Sequence, residues 1–229
     1  QDGFITGHGL ERVEIYDDAD VQDFIGVYEP QWPLLDLDHP KTYGPLDFYD
    51  YYYEHKRQQI DAMEKAKPIV LEVAKAFNER FDRDYWLFEA YRLEDADVAV
   101  VVANSTAGTA KTVVDELRDE GIKAGLLKIR LFRPFPAEEL TQALSHLEAV
   151  AVMDRSVSFG AMANAGPLYL ELLAALSANG ASVPMIDYIY GLGGRDILPR
   201  EIERVFRDAV KLAETGEVER KVTFLSVRE

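Results

Sequence analysis

No cysteine occurs anywhere in this chain of 229 residues. That absence excludes disulfides, a thiolate nucleophile, and cysteine ligation of an iron–sulfur cluster or structural zinc by this polypeptide, so any such metal centre has to sit on another chain. Long hydrophobic runs are missing as well. Val98–Ala103 is among the longest, far short of the roughly 20 apolar residues that a spanning helix needs. With no signal peptide in view, the expectation is a cytoplasmic protein. Cations are scarce: Lys and Arg total 25 against 41 Asp and Glu, a formal charge of −16. This argues against nucleic-acid or anionic-membrane partners held by simple electrostatics. The chain begins Gln1-Asp2-Gly3-Phe4 rather than with methionine, as a processed chain or a piece of a longer one would.

Several catalytic signatures are also lacking. There is no G-x-S-x-G elbow, no His-rich metal spacing, and no G-D-G motif of the kind that carries thiamine diphosphate with its magnesium ion. The histidines His8, His39, His55 and His146 are scattered. His146, at the end of an expected surface helix, reads as structural. His8 lies in the Gly-flanked loop Thr6-Gly7-His8-Gly9, as an arm anchor or a ligand contact.

What the chain does have is 48% hydrophobic residues, enough for a substantial core. Residues 1–50 show no sustained period and are rich in Pro, Gly, Asp and aromatics, which reads as an arm wrapping across another domain, with a short strand near Arg12–Ile15. From about Asp50, Ile60, Met63, Val70, Val73, Phe77 and Phe81 recur at helical spacing, and Pro68 is expected to kink or divide that helix. From Ala96 onward, strands at 97–103, 124–130, 149–154 and 183–189 alternate with helices at about 108–120, 137–146, 163–178 and 199–214. Such alternation implies an α/β fold with an open, mostly parallel sheet and helices on both faces. The domain is taken as 51–229 with its core at 96–214; the polar tail carries one short strand, Val222–Val227.

If the strands are parallel, the loops at 104–109, 131–136, 155–160 and 190–196 share one edge, where ligands and partner domains dock in open α/β sheets. The small-residue turn Asn104-Ser105-Thr106-Ala107-Gly108-Thr109 lacks both a dinucleotide fingerprint and a P-loop ending. It either presents a helix N-terminus to a ligand or only turns the chain and caps the helix through Ser105 or Thr106. Lys128, Arg130 and Arg133 cluster before a Pro-Phe-Pro turn and suit a phosphate, a carboxylate or an acidic loop, or else internal salt bridges. Asp154-Arg155 fits a structural polar network or a substrate contact. The glycines Gly191, Gly193 and Gly194, followed by Arg195 and Asp196, allow a neighbouring backbone or cofactor to approach closely. Tyr49, Tyr51, Tyr52 and Tyr53 favour a subunit or domain interface over a base-stacking surface.

Six segments, in order, carry a resemblance over essentially the whole chain: Asp2-Gly-Phe4 with His8, Asp50-Tyr-Tyr-Tyr-Glu54, Asn104-Ser-Thr-Ala-Gly-Thr109, Leu127-Lys-Ile-Arg-Leu-Phe-Arg-Pro-Phe-Pro136, Met153-Asp-Arg-Ser156 and Tyr190-Gly-Leu-Gly-Gly-Arg-Asp-Ile197. Together they resemble the α subunit of pyruvate:ferredoxin oxidoreductase, also called pyruvate synthase. Where that family usually has Gly, this chain has Asn104. The resemblance implies a second domain similar to the carboxy-terminal domain of transketolase-like enzymes, with residues 1–50 as the end of a pyrimidine-binding domain plus linker. It implies a complex that decarboxylates a 2-oxoacid on thiamine diphosphate and Mg2+, passes electrons through 4Fe–4S clusters to ferredoxin, and acylates coenzyme A.

On that resemblance this chain alone binds none of these cofactors and holds no catalytic residue or metal ligand. Its partners are the β, γ and δ subunits, with ferredoxin reached through the complex and neither nucleic acid nor membrane involved. His8, Asn104, Ser105, Thr106, Gly108, Arg133, Asp154, Arg155, Gly193, Gly194, Arg195 and Asp196 are then cofactor-binding or domain-docking positions. Pyruvate is the expected substrate, with 2-oxoglutarate, branched-chain 2-oxoacids or oxalate as alternatives. A stand-alone α/β binding or scaffold domain, or the matching domain of a thiamine-dependent dehydrogenase or transketolase, are the other readings.

Overall fold

The computed structural model of the chain describes residues 14–228. Contacts divide it after Asp84 into two compact units.

In the first unit, helix α1 (Asp18–Ile25) carries Asp18 and Asp20 in its first turn, where carboxylates complement the positive helix end, and it stops at Gly26 with φ 75°. The sequence pattern marks no regular structure here, because a run of acids hides the short apolar period. The expected strand near Arg12–Ile15 falls partly outside the described residues, and Glu14–Asp17 forms none. Helix α2 (Tyr52–Phe81) runs for 30 residues with Pro68 inside it and ends at Asp82 in the left-handed region. It is therefore not divided: proline removes one backbone donor, and a helix of this length has many others. Tyr16 and Phe24 pack on Phe77 and Phe81, with ring centroids 4.3–6.0 Å apart. Arg80 pairs with Asp20 at 2.7 Å and Asp23 at 3.3 Å. Neither helix has a buried residue, so Ile60, Met63, Ile69 and Val73 stand exposed, as do Trp32, Tyr49 and Tyr53.

The second unit is a six-stranded sheet flanked by helices. Its strands are β1 (Phe88–Tyr91), β2 (Val98–Ala103), β3 (Ala124–Ile129), β4 (Ala149–Asp154), β5 (Met185–Ile189) and β6 (Val222–Phe224), in the spatial order β1-β3-β2-β4-β5-β6. Strands β2 to β6 pair in parallel, with Val98 opposite both Ala124 and Ala149, and Val152 opposite Asp187. β1 runs antiparallel to β3, Phe88 opposite Ile129. The sheet is thus mixed and mostly parallel, with an antiparallel edge strand, β1, that the strand–helix alternation from Ala96 onward does not include.

Successive side chains of β2 point to opposite faces, which builds two cores. Val98, Val100 and Val102 pack with helices α3 (Thr106–Asp119) and α6 (Pro199–Thr215). Ala99 and Val101 pack with α4 (Ala137–Leu144) and α5 (Pro167–Ala178). Helix α5 starts at Pro167, not at 163. Ala163 and Asn164 take left-handed φ of 54°, and proline is pre-set for the first helical position. The tail strand ends at Phe224, with Ser226 at φ 59°.

Candidate functional site

From β2 the chain passes through α3 to β3 on one side, then returns through α4 to β4 on the other side of β2. The connections therefore diverge between β2 and β4, and at such a switch point the loops leaving the carboxyl ends open a crevice. A cavity of about 370 Å³ lies there, lined by residues 103–106 at the end of β2 and beyond it, Ile129, Arg130 and Phe132 at the end of β3, Met153, Asp154 and Arg155 at the end of β4, and Tyr190 after β5, with Pro167 and Leu168 of α5. The loops expected on one edge do share it.

The turn after β2 is made by Asn104 at φ 61°. Asparagine tolerates this region better than most side chains, so it can stand where the resembling family usually has Gly. Ser105 precedes the helix, and buried Thr106 opens it. Thr106 Oγ1 accepts a hydrogen bond from the Tyr190 hydroxyl at 2.9 Å, tying the start of the helix after β2 to the loop after β5. Gly108 lies exposed in the first turn of α3.

Asp154 is 4% exposed, and its two oxygens accept from the backbone N–H groups of Leu168 at 3.1 Å and Tyr169 at 2.9 Å. It thus seats the amino end of α5. Burial pushes its pKa up to about 6, against the opposing effect of those two bonds. Beside it, Asp187 is 1% exposed and accepts from Gly166 N–H at 2.7 Å through Oδ2. Burial raises Asp187 to about 7, and the neighbouring Asp154 charge adds to the rise. Sequence reading missed Asp187; a lone acid in the buried strand Met185–Ile189 was the available signal.

The cations divide. Arg130 pairs with Glu89 on β1 at 2.9 Å and lies over the Tyr85 ring. Arg133 leaves the cavity, bonding Glu171 on α5 and covering Phe132. Arg155 faces the Tyr190 ring at 5.6 Å and reaches the Arg195 carbonyl at 3.4 Å. A Cβ at Gly191 would come within 2.8 Å of its guanidinium carbon. Arg195 donates to the Ser226 carbonyl. Gly193 and Gly194 have positive φ, and Asp196 is exposed beside them. Arg133, Arg155 and Arg195 reach the same edge, but only Arg155 lines the cavity. His146 Nε2 meets the Leu93 carbonyl at 3.0 Å, a structural contact. His8 lies outside the described residues.

This architecture belongs to the open α/β domains whose crevice sits at a switch point on the carboxyl edge. The family model described as pyruvate:ferredoxin oxidoreductase core domain II matches residues 96–202, and that described as pyruvate flavodoxin/ferredoxin oxidoreductase, thiamine diP-bdg, matches residues 1–75. "Pyruvate synthase subunit PorA" of Thermotoga maritima is 54% identical over 209 residues, 91% of this chain and 53% of that protein. "Ketoisovalerate oxidoreductase subunit VorA" of Pyrococcus horikoshii is 37% identical over 229 residues, 100% of this chain and 57% of that protein. Among solved structures, one described as split gene transketolase, inactive beta4 tetramer, aligns with 58% of this chain and 45% of its own at TM-score 0.44 and 16% identity, too distant to bear on the assignment. The chain belongs to the α-subunit family of pyruvate:ferredoxin oxidoreductases. It spans about half the length of the curated relatives it matches.

Among the described residues, no group of three or more His, Cys, Asp or Glu side chains is placed to hold a metal ion. Nor, among them, is any helix long and apolar enough to cross a membrane.

Proposed function

We propose that the chain is the α-subunit portion of a cytoplasmic 2-oxoacid:ferredoxin oxidoreductase, converting pyruvate, coenzyme A and oxidised ferredoxin to acetyl-CoA, carbon dioxide and reduced ferredoxin. Its own work is to seat domains and subunits. The cofactors and the reacting groups lie on the rest of the assembly, with β, γ and δ subunits as partners and residues 1–50 closing a pyrimidine-binding domain. Identity of 54% to a pyruvate synthase subunit supports the substrate class.

The observation that carries the seating role is α2. Thirty residues of helix bury none of their side chains, while Ile60, Met63 and Val73 stand about half exposed. Exposed apolar area of this extent marks an interaction surface. The exposed tyrosines Tyr49, Tyr51, Tyr52 and Tyr53 extend it with side chains suited to interfaces. The similarity to a ketoisovalerate oxidoreductase subunit keeps a branched-chain 2-oxoacid as the second reading.

The test is to purify the native complex and measure viologen reduction driven by each 2-oxoacid, with and without coenzyme A. Pyruvate-dependent reduction that requires coenzyme A is expected. Preference for 2-oxoisovalerate would move the assignment to the second reading, and no 2-oxoacid-dependent reduction would end both.

A further inference from the structure

We propose that the cavity between β2 and β4 is a binding site for a small phosphate-bearing molecule. Its volume of about 370 Å³ falls within the range of roughly 300–1,000 Å³ common for small-ligand sites. Arg130 and Arg155 line it from different loops. Planar guanidinium forks match phosphate oxygens in pairs.

Both forks are held in place. Arg155 lies over the Tyr190 ring, bonds the Arg195 carbonyl, and sits against the Cβ-free side of Gly191. Arg130 is fixed by the Tyr85 ring and by Glu89. Less side-chain freedom is then lost when a ligand binds.

Cations gather at this edge although the chain is strongly acidic. Glu89 is the carboxylate beside Arg130, and Lys111 shares it. Burial opposes its ionisation, but the Lys111 hydrogen bond and the charges of Lys111, Arg130 and Lys128 together hold its pKa below the usual range. Lys111, Arg130 and Lys128 thus surround Glu89, and Arg155 lies at the same sheet edge. The Asp154 carboxylate in the wall has both oxygens bonded to the amino end of α5, which moderates its repulsion of an incoming anion. Asn104 to Thr106 bring the positive end of α3 to the opposite side.

The experiment is isothermal titration of the full chain with inorganic pyrophosphate at low ionic strength, followed by the same titration on the complex. Saturable binding at one site is expected in both, weakened by added salt. Arg155→Gln should weaken it by about tenfold or more, the consequence of losing a charged hydrogen bond, and Arg155→Lys by less. Lys211→Gln, on the far side of α6, should leave it unchanged. If Arg155→Gln fails to fold, Arg130→Gln carries the comparison.

No saturable binding, or equal binding by the folded arginine variant, overturns the proposal. Binding to the chain that is lost in the assembled complex also overturns it, and assigns the arginines to an acidic side chain of a neighbouring subunit.

Discussion

A Cβ added to Gly166 would lie 2.1 Å from Cγ of Asp154. Only glycine allows this approach, which lets Asp154 meet two N–H groups of α5 while Gly166 gives its own N–H to Asp187. Gly166→Ala must push the carboxylate off the helix end or move the helix. We expect a loss of about 1–3 kcal/mol, the usual effect of overpacking a tight interior. Urea unfolding measures it, and a midpoint equal to that of the parent would show that the contact yields without cost.

The same pair gives stability a pH dependence of defined sign. Asp154 and Asp187 have folded pKa values raised to about 6 and about 7, above the ordinary aspartate value of 3.8. The folded state therefore holds protons that the unfolded state has released. Their favourable contribution is full below the unfolded value and fades as the pH rises through 6 and 7. Among the described residues, Asp187 Oδ1 is buried without a hydrogen-bond partner, so ionising it is especially unfavourable. Asp187→Asn keeps an oxygen for Gly166 N–H and cannot ionise. Thermal melts from pH 5 to 8 should show a shallower decline for the variant. Parallel curves would remove Asp187 as the source.

Much of this edge was legible in the sequence because parallel strands have one direction. Once 97–103, 124–130, 149–154 and 183–189 read as strands in alternation with helices, Asn104, Arg155 and Tyr190 had to emerge on the same side. β1 carries a weaker signal. Its four residues alternate only weakly in burial and pair antiparallel at the edge, with no helix alternation to mark them. Arg133 sat in the right loop, yet Glu171 on α5 draws it away from the cavity, and spacing gives no sign of that partner. The Gly166–Asp187 bond joins positions 21 apart through the packing of α5 on β5, which no local pattern encodes.

Tyr190 and Thr106 supply a smaller test. Their buried hydroxyls bond at 2.9 Å across the sheet edge. Tyr190→Phe leaves the Thr106 oxygen without that donor while preserving the ring that faces Arg155. The expected cost is about 1–2 kcal/mol, read from the denaturant midpoint. Pyrophosphate affinity should change far less than in Arg155→Gln.

A calorimetric titration of the chain with thiamine diphosphate and Mg2+ should show no binding as tight as micromolar. The described residues include neither a metal-holding group of three acids or histidines nor a Gly-Asp-Gly motif. Micromolar binding would mean that the segment matched by the thiamine-associated family model carries more of the site than we propose.

Arg195 separates docking from folding. Its side chain donates to the Ser226 carbonyl in an exposed position, while its own backbone carbonyl receives Arg155. Arg195→Ala removes the first contact and leaves the second available. An exposed contact of this kind usually changes stability within about 0.5 kcal/mol, so the melting temperature of the chain should move little. Gly193 and Gly194, at φ 67° and 82°, place the guanidinium on a loop that a neighbouring backbone can approach closely. If that loop seats another domain or subunit, the variant complex will assemble less completely or oxidise the 2-oxoacid more slowly, and gel filtration with the viologen assay reads both. A variant chain that unfolds would return Arg195 to a structural role. A variant complex that assembles and turns over at the parent rate would show that the arginine contributes nothing to docking.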